Sequence, residues 1–296
     1  MLDKLNFFII LAGERHFGKA ALKLGITQPS LSAAIRQLEE NLGVMLVNRG
    51  SRFQGLTEEG ERVLNWALKI TADTRTMKEE IQNRTKGLSG TLTIGAIPTA
   101  MTAIPEITNS FLSRHPNVKL KLLSQNSNEV LGSLERFEID VGITYLNNEP
   151  STKLKSVAFY SESYQLITPF KSLNRHDQTV SWSAAAKLRL CLLTNDMQNR
   201  RILNQRFLED GISIMPALEA NSLTALFTHV QTGQWSSILP ETLIKSLRFN
   251  KDVAAIPMQE PQMHHKIGLI ALRRDPNTPL ITTFLKEAEV IALKKS

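Results

Sequence analysis

Apolar residues recur at helical spacing through the opening of the chain, in three blocks separated by short polar breaks. Leu2, Leu5, Phe8, Ile9 and Ala12 form the first stripe. Phe17, Ala20, Ala21 and Leu24 form the second, which Gly25 ends. Thr27 then offers an N-cap, Ile26 and Leu31 can staple across it, and Pro29 sits in a first turn where a missing N–H costs little. Leu31, Ile35, Leu38 and Leu42 define the buried face of this third helix, and Gly43 closes it. Val44 to Val47 and Gln54 to Leu56 flank Asn48-Arg49-Gly50-Ser51-Arg52, which predicts a β-hairpin.

A longer helix follows. Thr57 can cap it, and Glu58 and Glu59 suit its positive end. Val63, Ala67, Ile70, Thr74, Met77 and Ile81 alternate by four and three, an a/d seam on an otherwise polar helix. Such a helix has no core of its own and is expected to pair with a second copy through Val63, Ile70, Met77 and Ile81. Lys86 to Gly90 reads as a hinge.

Beyond the hinge, strands and helices alternate. Strands are expected at Thr91–Ala96, Val118–Leu123, Val141–Ile143, Tyr164–Thr168, Arg189–Leu193, Leu218–Ala220, Ser237–Leu239, Val253–Ile256 and Ile267–Leu272. Helices are expected from Thr102 to Arg114, Glu129 to Phe137, Ile202 to Leu208, Ser222 to Val230 and Leu280 to Leu293. This βα alternation predicts open α/β sheets in two small lobes, with a return crossing near Lys266. The resulting division is 1–58, 59–90 and 91–296.

Composition narrows the reading. The 296 residues have 42% hydrophobic and 21% charged content, ordinary values for a folded chain of about two domains. The single cysteine, Cys191, excludes a disulfide within the chain; set in the apolar run Leu190–Leu193, it is expected to be a buried, inert thiol. No long apolar run or export signal is seen, so a cytoplasmic protein without membrane contact is expected. The net charge of +7 is spread evenly, with 13 basic and 10 acidic residues ahead of Gly90 and 22 and 18 from there on. Locally it is not: Arg15, Lys19, Lys23, Arg36, Arg49 and Arg52 face only Glu39 and Glu40, the kind of footprint that phosphates attract.

The outward face of the third helix supports that reading. Gln28, Ser32 and Arg36 stand four residues apart, flanked by Pro29, Ala33 and Gln37. Short polar and amide side chains let a helix enter the major groove and address base edges. Two helices joined by a short glycine-containing turn make a helix-turn-helix. Arg49 and Arg52 at the hairpin tip are candidates for backbone contacts.

No catalytic constellation emerges. There is no phosphate loop, GxGxxG or GxSxG. His264-His265 reads as a surface pair, and His16 and His229 as isolated side chains. Small polar groups collect instead at strand ends: Thr99 and Thr102, Ser127, Thr144-Tyr145, Thr194 and Asn221. Ligands of open α/β sheets sit beyond the carboxyl ends of strands, so these positions predict a cleft for a small, anionic metabolite.

The run from Phe17-Gly18-Lys19-Ala20-Ala21 through Thr27-Gln28-Pro29-Ser30-Leu31-Ser32, Leu38-Glu39, Leu42-Gly43, Arg49 and Leu56-Thr57-Glu58 to Gly60 resembles the DNA-binding domain of LysR-type transcriptional regulators. Gly18-Lys19 stands where a capping Ser or Thr is usual, and Val47 where Phe is usual. The resemblance implies a winged helix-turn-helix, a dimerising linker helix and a C-terminal effector domain of two periplasmic-binding-protein-like lobes. It implies DNA contacts at Thr27, Gln28, Pro29, Ser32, Arg36 and Arg49. By the same analogy, Thr99, Thr102, Ser127 and Thr194 are the better effector candidates. It further implies promoter DNA, RNA polymerase and further copies of the chain, as a dimer of dimers, as partners. No cofactor is expected beyond a small-molecule effector of unknown identity. Leu193 to Arg201 is faintly similar to regulators found beside formate dehydrogenase operons. The alternative is a cytoplasmic solute-binding receptor without gene control; an enzyme is the most distant reading.

Overall fold

The computed structural model describes residues 1–48, 53–146, 152–170, 178–259 and 263–293, the side chains of 82–86 excepted. The chain forms two compact units, Met1–Thr85 and Lys86–Ser296.

The first unit opens with α1 (Leu2–Glu14), α2 (Phe17–Leu24) and α3 (Gln28–Leu42). Leu5, Phe8, Leu11, Ala20, Ala21, Leu31, Ile35 and Leu38 make their common core. Both glycine stops hold: Gly25 and Gly43 take φ of 67° and 70°, which any other residue except Asn or Asp would adopt at a cost. The vacant capping position at the start of α2 is filled from one residue earlier. His16 Nδ1 accepts from Gly18 N at 3.0 Å and Lys19 N at 3.3 Å. His16 is therefore a helix cap rather than an isolated side chain.

Of the expected hairpin, the described residues show an antiparallel bridge between Val47 and Leu56, with Thr57 N donating to Leu46 O and Asn48 N to Gly55 O, each at 3.0 Å. Two side chains hold it. Glu39, buried on α3, accepts from Leu46 N at 2.8 Å and Val47 N at 3.3 Å. Asn48 Nδ2 donates to Leu56 O at 3.0 Å. Arg49 and Arg52 lie outside the described residues.

α4 (Glu58–Lys86) leaves directly from this bridge. Thr57 Oγ1 accepts from Gly60 N at 2.9 Å and donates to Met45 O at 2.6 Å. Gly60 lies so close to Leu46 O that a Cβ there would collide with it. Ala67 is wholly buried in the core of the first unit and Val63 packs partly against it. The start of the predicted seam therefore serves its own domain. The exposed apolar stripe begins one turn later and includes a residue outside the heptad pattern: Trp66, Ile70, Met77 and Ile81.

The second unit runs β1 (Gly90–Ala96), a 3-10 turn at Pro98–Ala100, α5 (Ile104–Arg114), β2 (Val118–Ser124), α6 (Ser127–Glu135), β3 (Val141–Tyr145) and β4 (Leu154–Glu162). It then crosses to β5 (Tyr164–Pro169), α7 (Trp182–Ala186), β6 (Cys191–Leu193), α8 (Gln198–Glu209), β7 (Leu218–Ala220), α9 (Leu223–Gln231), β8 (Ser237–Pro240), α10 (Glu241–Ser246) and β9 (Val253–Pro257). β10 (His265–Leu272) and α11 (Pro279–Leu293) return to the first lobe.

The first-lobe sheet has the order β2-β1-β3-β10-β4, with β10 antiparallel to both neighbours, which is the expected return crossing. The second lobe holds β8-β5-β9 and β6-β7, joined where Cys191 N donates to Ser236 O at 2.9 Å. α5 starts two residues later than expected, because the 3-10 turn intervenes and Pro105 opens the helix. α6 starts two residues earlier, because Asn126 and Glu129 form a capping box. The strand β4 and the helices α7 and α10 have no counterpart among the expected elements. No described helix is long and apolar enough to cross a membrane.

Candidate nucleic-acid interface and effector cleft

The first site is the outer face of α3. Thr27 Oγ1 accepts from Ser30 N at 3.3 Å and shares a 2.8 Å hydrogen bond with Ser30 Oγ, which fixes the first turn. Thr27, Gln28, Pro29, Ala33, Arg36 and Gln37 are exposed or partly so, and Ser32 is half-buried. Gln28 Oε1 lies beside Gly18, close to the start of α2. No acid precedes Glu39 on this helix, and Glu39 is turned inward to the bridge. From Thr27 to Gln37 the exposed surface therefore presents amides and one cation without a carboxylate to repel phosphate, the exposed Glu40 lying beyond it.

The second site lies at strand ends within Lys86–Ser296. Thr99 and Ser127 line a small recess with Asn126, Tyr145, Gln198 and Asn199. Thr102 and Asn221 line a different, larger crevice of about 400 Å³ with Ser124, Ser222 and Thr224. Its apolar walls are Met101, Leu223, Phe227, Leu243 and Leu247. Pro98 borders both. Thr194 lines neither, so four of the five expected positions divide between two chambers and the fifth stands apart from both. Thr144 Oγ1 donates to Ser127 Oγ at 3.1 Å, holding the start of α6 to β3.

The polar atoms here are poorly satisfied by the protein itself. The hydroxyls of Thr102 and Thr194 are buried without a hydrogen-bond partner. Thr99 Oγ1 faces Tyr145 and Glu162, and Asn199 Nδ2 lies beside Tyr164, without well-aligned partners. Buried polar atoms left over in this way are what a bound ligand would complete.

Behind the recess lies a group that sequence reasoning missed. All three tyrosines of the chain gather on Glu162, which is fully buried. Tyr145 donates to Glu162 Oε2 at 3.0 Å and Tyr160 to Oε1 at 3.2 Å, while the Tyr145 and Tyr164 hydroxyls lie 3.5 Å apart. Burial pushes the carboxyl up to about 7, against the opposing pull of the tyrosine hydrogen bonds. The same burial, with the carboxylate nearby, raises all three phenols. His265 pairs with Glu162 in the sheet and meets the Tyr145 and Tyr164 rings edge-on at 6.1 and 6.3 Å, so it is no free surface histidine. Burial first, and His264 second, lower its affinity for a proton.

The basic residues of the Leu193–Arg201 stretch are structural. Arg200 donates to Leu193 O at 2.8 Å and Glu219 at 2.5 Å, clamping β6, β7 and α8. Arg201 holds Gln198 Oε1 and the carbonyls of Asn195 and Asp196. Cys191 is buried and its thiol is pushed up to about 11 by burial, the inert state expected. Among the described residues no cluster of acids, histidines and cysteine could hold a metal ion.

Comparison with known proteins agrees with both halves. Residues 2–61 match the family described as bacterial regulatory helix-turn-helix protein, lysR family, and residues 85–290 match the LysR substrate binding domain. The HTH-type transcriptional regulator AlsR of Bacillus subtilis is 30% identical over 96% of this chain and 94% of its own. The DNA-binding transcriptional dual regulator OxyR of Escherichia coli is 28% identical over 97% and 93%. A full-length OxyR variant from Pseudomonas aeruginosa shares the fold with a TM-score of 0.78, at 22% identity, over 99% of this chain and 96% of that one. CbnR complexed with its target DNA does so with a TM-score of 0.69, at 21% identity, over 99% and 100%. None of these relatives is named for formate dehydrogenase. With a helix-turn-helix match at one end and a substrate-binding-domain match over most of the remainder, the chain belongs to the LysR family of transcriptional regulators.

Proposed function

We propose that the protein reads promoter DNA through the exposed face of α3, with Gln28 addressing base edges and Arg36 the backbone. Thr27, Pro29 and the half-buried Ser32 shape the approach, and Arg49 and Arg52 reach phosphates from the wing. The observation that carries this reading is the carboxylate-free, amide-bearing surface of α3 between Thr27 and Gln37. Two copies joined through α4 present two such faces to a two-fold-related site, and two dimers assemble on one promoter. A small molecule enters the recess at Thr99 and Ser127, its anionic end met by hydroxyls and amides. Occupancy shifts the population between two assembled states and so the spacing of the DNA-reading heads, which alters how RNA polymerase is engaged. The protein acts in the cytoplasm and catalyses no reaction.

A gel-shift with fragments flanking the protein's own gene, at fixed salt, tests the DNA reading. Gln28→Ala is expected to lower the preference for the specific fragment over random DNA by roughly 5- to 150-fold, about 1–3 kcal/mol for each base pairing removed. Equal weakening on both DNAs removes the base-reading role of Gln28.

A further inference from the structure

The larger crevice says something about the ligand that the small recess does not. Its volume of about 400 Å³ falls within the roughly 300–1,000 Å³ typical of small-molecule pockets. Met101, Leu223, Phe227, Leu243 and Leu247 wall it beside the neutral polar side chains of Thr102, Ser124, Asn221, Ser222 and Thr224, and no described residue that lines it carries a charge. Among the described residues the recess beside it also lacks a cation, and the fully buried Glu162 lies behind its Tyr145 wall.

A compact polyanion such as sulfate or a short dicarboxylate would leave water here with no counter-charge to meet it, which is costly. One carboxylate is a different matter. The recess has only about 10 Å³ of free space, room for one water-sized atom, so the donors of Thr99, Ser127, Gln198 and Asn199 can meet one oxygen of a single anionic head. The apolar crevice, bordered like the recess by Pro98, then offers burial to an apolar body.

We propose that the large crevice takes the hydrocarbon part of the effector, so that the ligand class is an amphipathic monocarboxylic acid. This rests on the cleft reading above, and the test separates the two. Thermal shift and calorimetric titration of the full-length protein would use straight-chain monocarboxylates from acetate to octanoate, the matching primary alcohols, and sulfate and malonate as compact dianions.

Affinity is expected to rise about fourfold per added methylene until the crevice is full. Leu223→Trp, which fills the crevice, should erase that gain. Leu223→Ala should move the best chain length upward. The opposite directions distinguish a lining role from a folding defect. Alcohols binding as tightly as acids would keep the hydrocarbon site and overturn the anionic head at Thr99. Acetate, sulfate and malonate binding as well as octanoate would overturn the hydrocarbon site and leave the cleft reading standing. A chain-length gain identical in wild type and Leu223→Trp would place the hydrocarbon elsewhere and overturn the proposal. No shift with any probe overturns both.

Discussion

Tyr145 donates to Glu162 across 3.0 Å, from the last residue of β3 to the last of β4, and two residues later Tyr164 begins the second lobe. The carboxyl thus sits where the chain passes from one lobe to the other. The groups facing it are Tyr145, Tyr160, Tyr164 and the Thr99 hydroxyl, with His265 paired to it on β10. Because burial raises its folded value to about 7, the folded state holds a proton that the unfolded state, at an ordinary 4.5, has released. Stability from this group is therefore full below about 4.5 and is lost as pH rises towards about 7, on the order of 3 kcal/mol in all. Denaturation of wild type and Glu162→Gln at pH 5 and pH 8 checks this. The variant should gain on the wild type as pH rises, and taking the difference cancels the opposite slope from His265. A difference independent of pH would show that Glu162 stays ionised throughout.

His16 caps α2 through its ring nitrogen. His16→Ala should cost about 1 kcal/mol, as loss of a capping side chain commonly does, and His16→Asn should restore most of it. Chemical denaturation of the Met1–Thr85 unit within the full chain, followed by amide exchange in α2, reads the effect. Unchanged protection of Gly18 and Lys19 in the alanine variant would count against the cap.

Gly60 faces Leu46 O with no room for a methyl group. Gly60→Ala should destabilise the first unit by about 1–3 kcal/mol, since backbone must move to admit it. The loss should appear as a lowered melting temperature together with weaker binding to all DNA. A variant melting like the wild type would mean that the start of α4 can shift freely.

The exposed stripe on α4 should report on self-association. Ile70→Asp and Trp66→Asp leave the core residue Ala67 untouched, and both are expected to raise the dimer dissociation constant at least tenfold in sedimentation. A change of that size corresponds to about 1.4 kcal/mol or more of buried apolar surface. Val63→Ala, half-buried in its own domain, should act mainly on stability. If Val63→Ala alone splits the dimer, the seam begins earlier than the exposed stripe indicates.

Much of this is legible in the chain. The first three helices follow from stripes closed by glycine, because helix caps are written locally in one or two residues. The two flanks of the hairpin are legible as well, but the bond that ties them to α3, from Leu46 N to Glu39 seven residues back, leaves no periodic trace. Heptad spacing makes Val63 an outward seam position, because spacing alone cannot tell which neighbour a face meets. β4 carries its signal in the alternation of Val157 and Phe159 with Ser156 and Ala158. Lys155, Ser161 and Glu162 dilute that alternation enough to hide the strand. Glu162 and its tyrosines come from separate strands, and nothing in their spacing announces a shared buried carboxylate. The strand-end polar residues fall in two recesses, Thr99 and Ser127 in one, Thr102 and Asn221 in the other, and Thr194 in neither, a division that strand-end position alone does not reveal.

Glu39 joins the reading helix to the strand that leads into the wing, from a position water cannot reach. Loosening one of these parts without the other would strand a buried carboxylate or two amide groups. Helix and wing root therefore travel as a single stiff body. A rearrangement elsewhere in the chain would carry α3 and the Val47–Leu56 bridge along together rather than pull them apart.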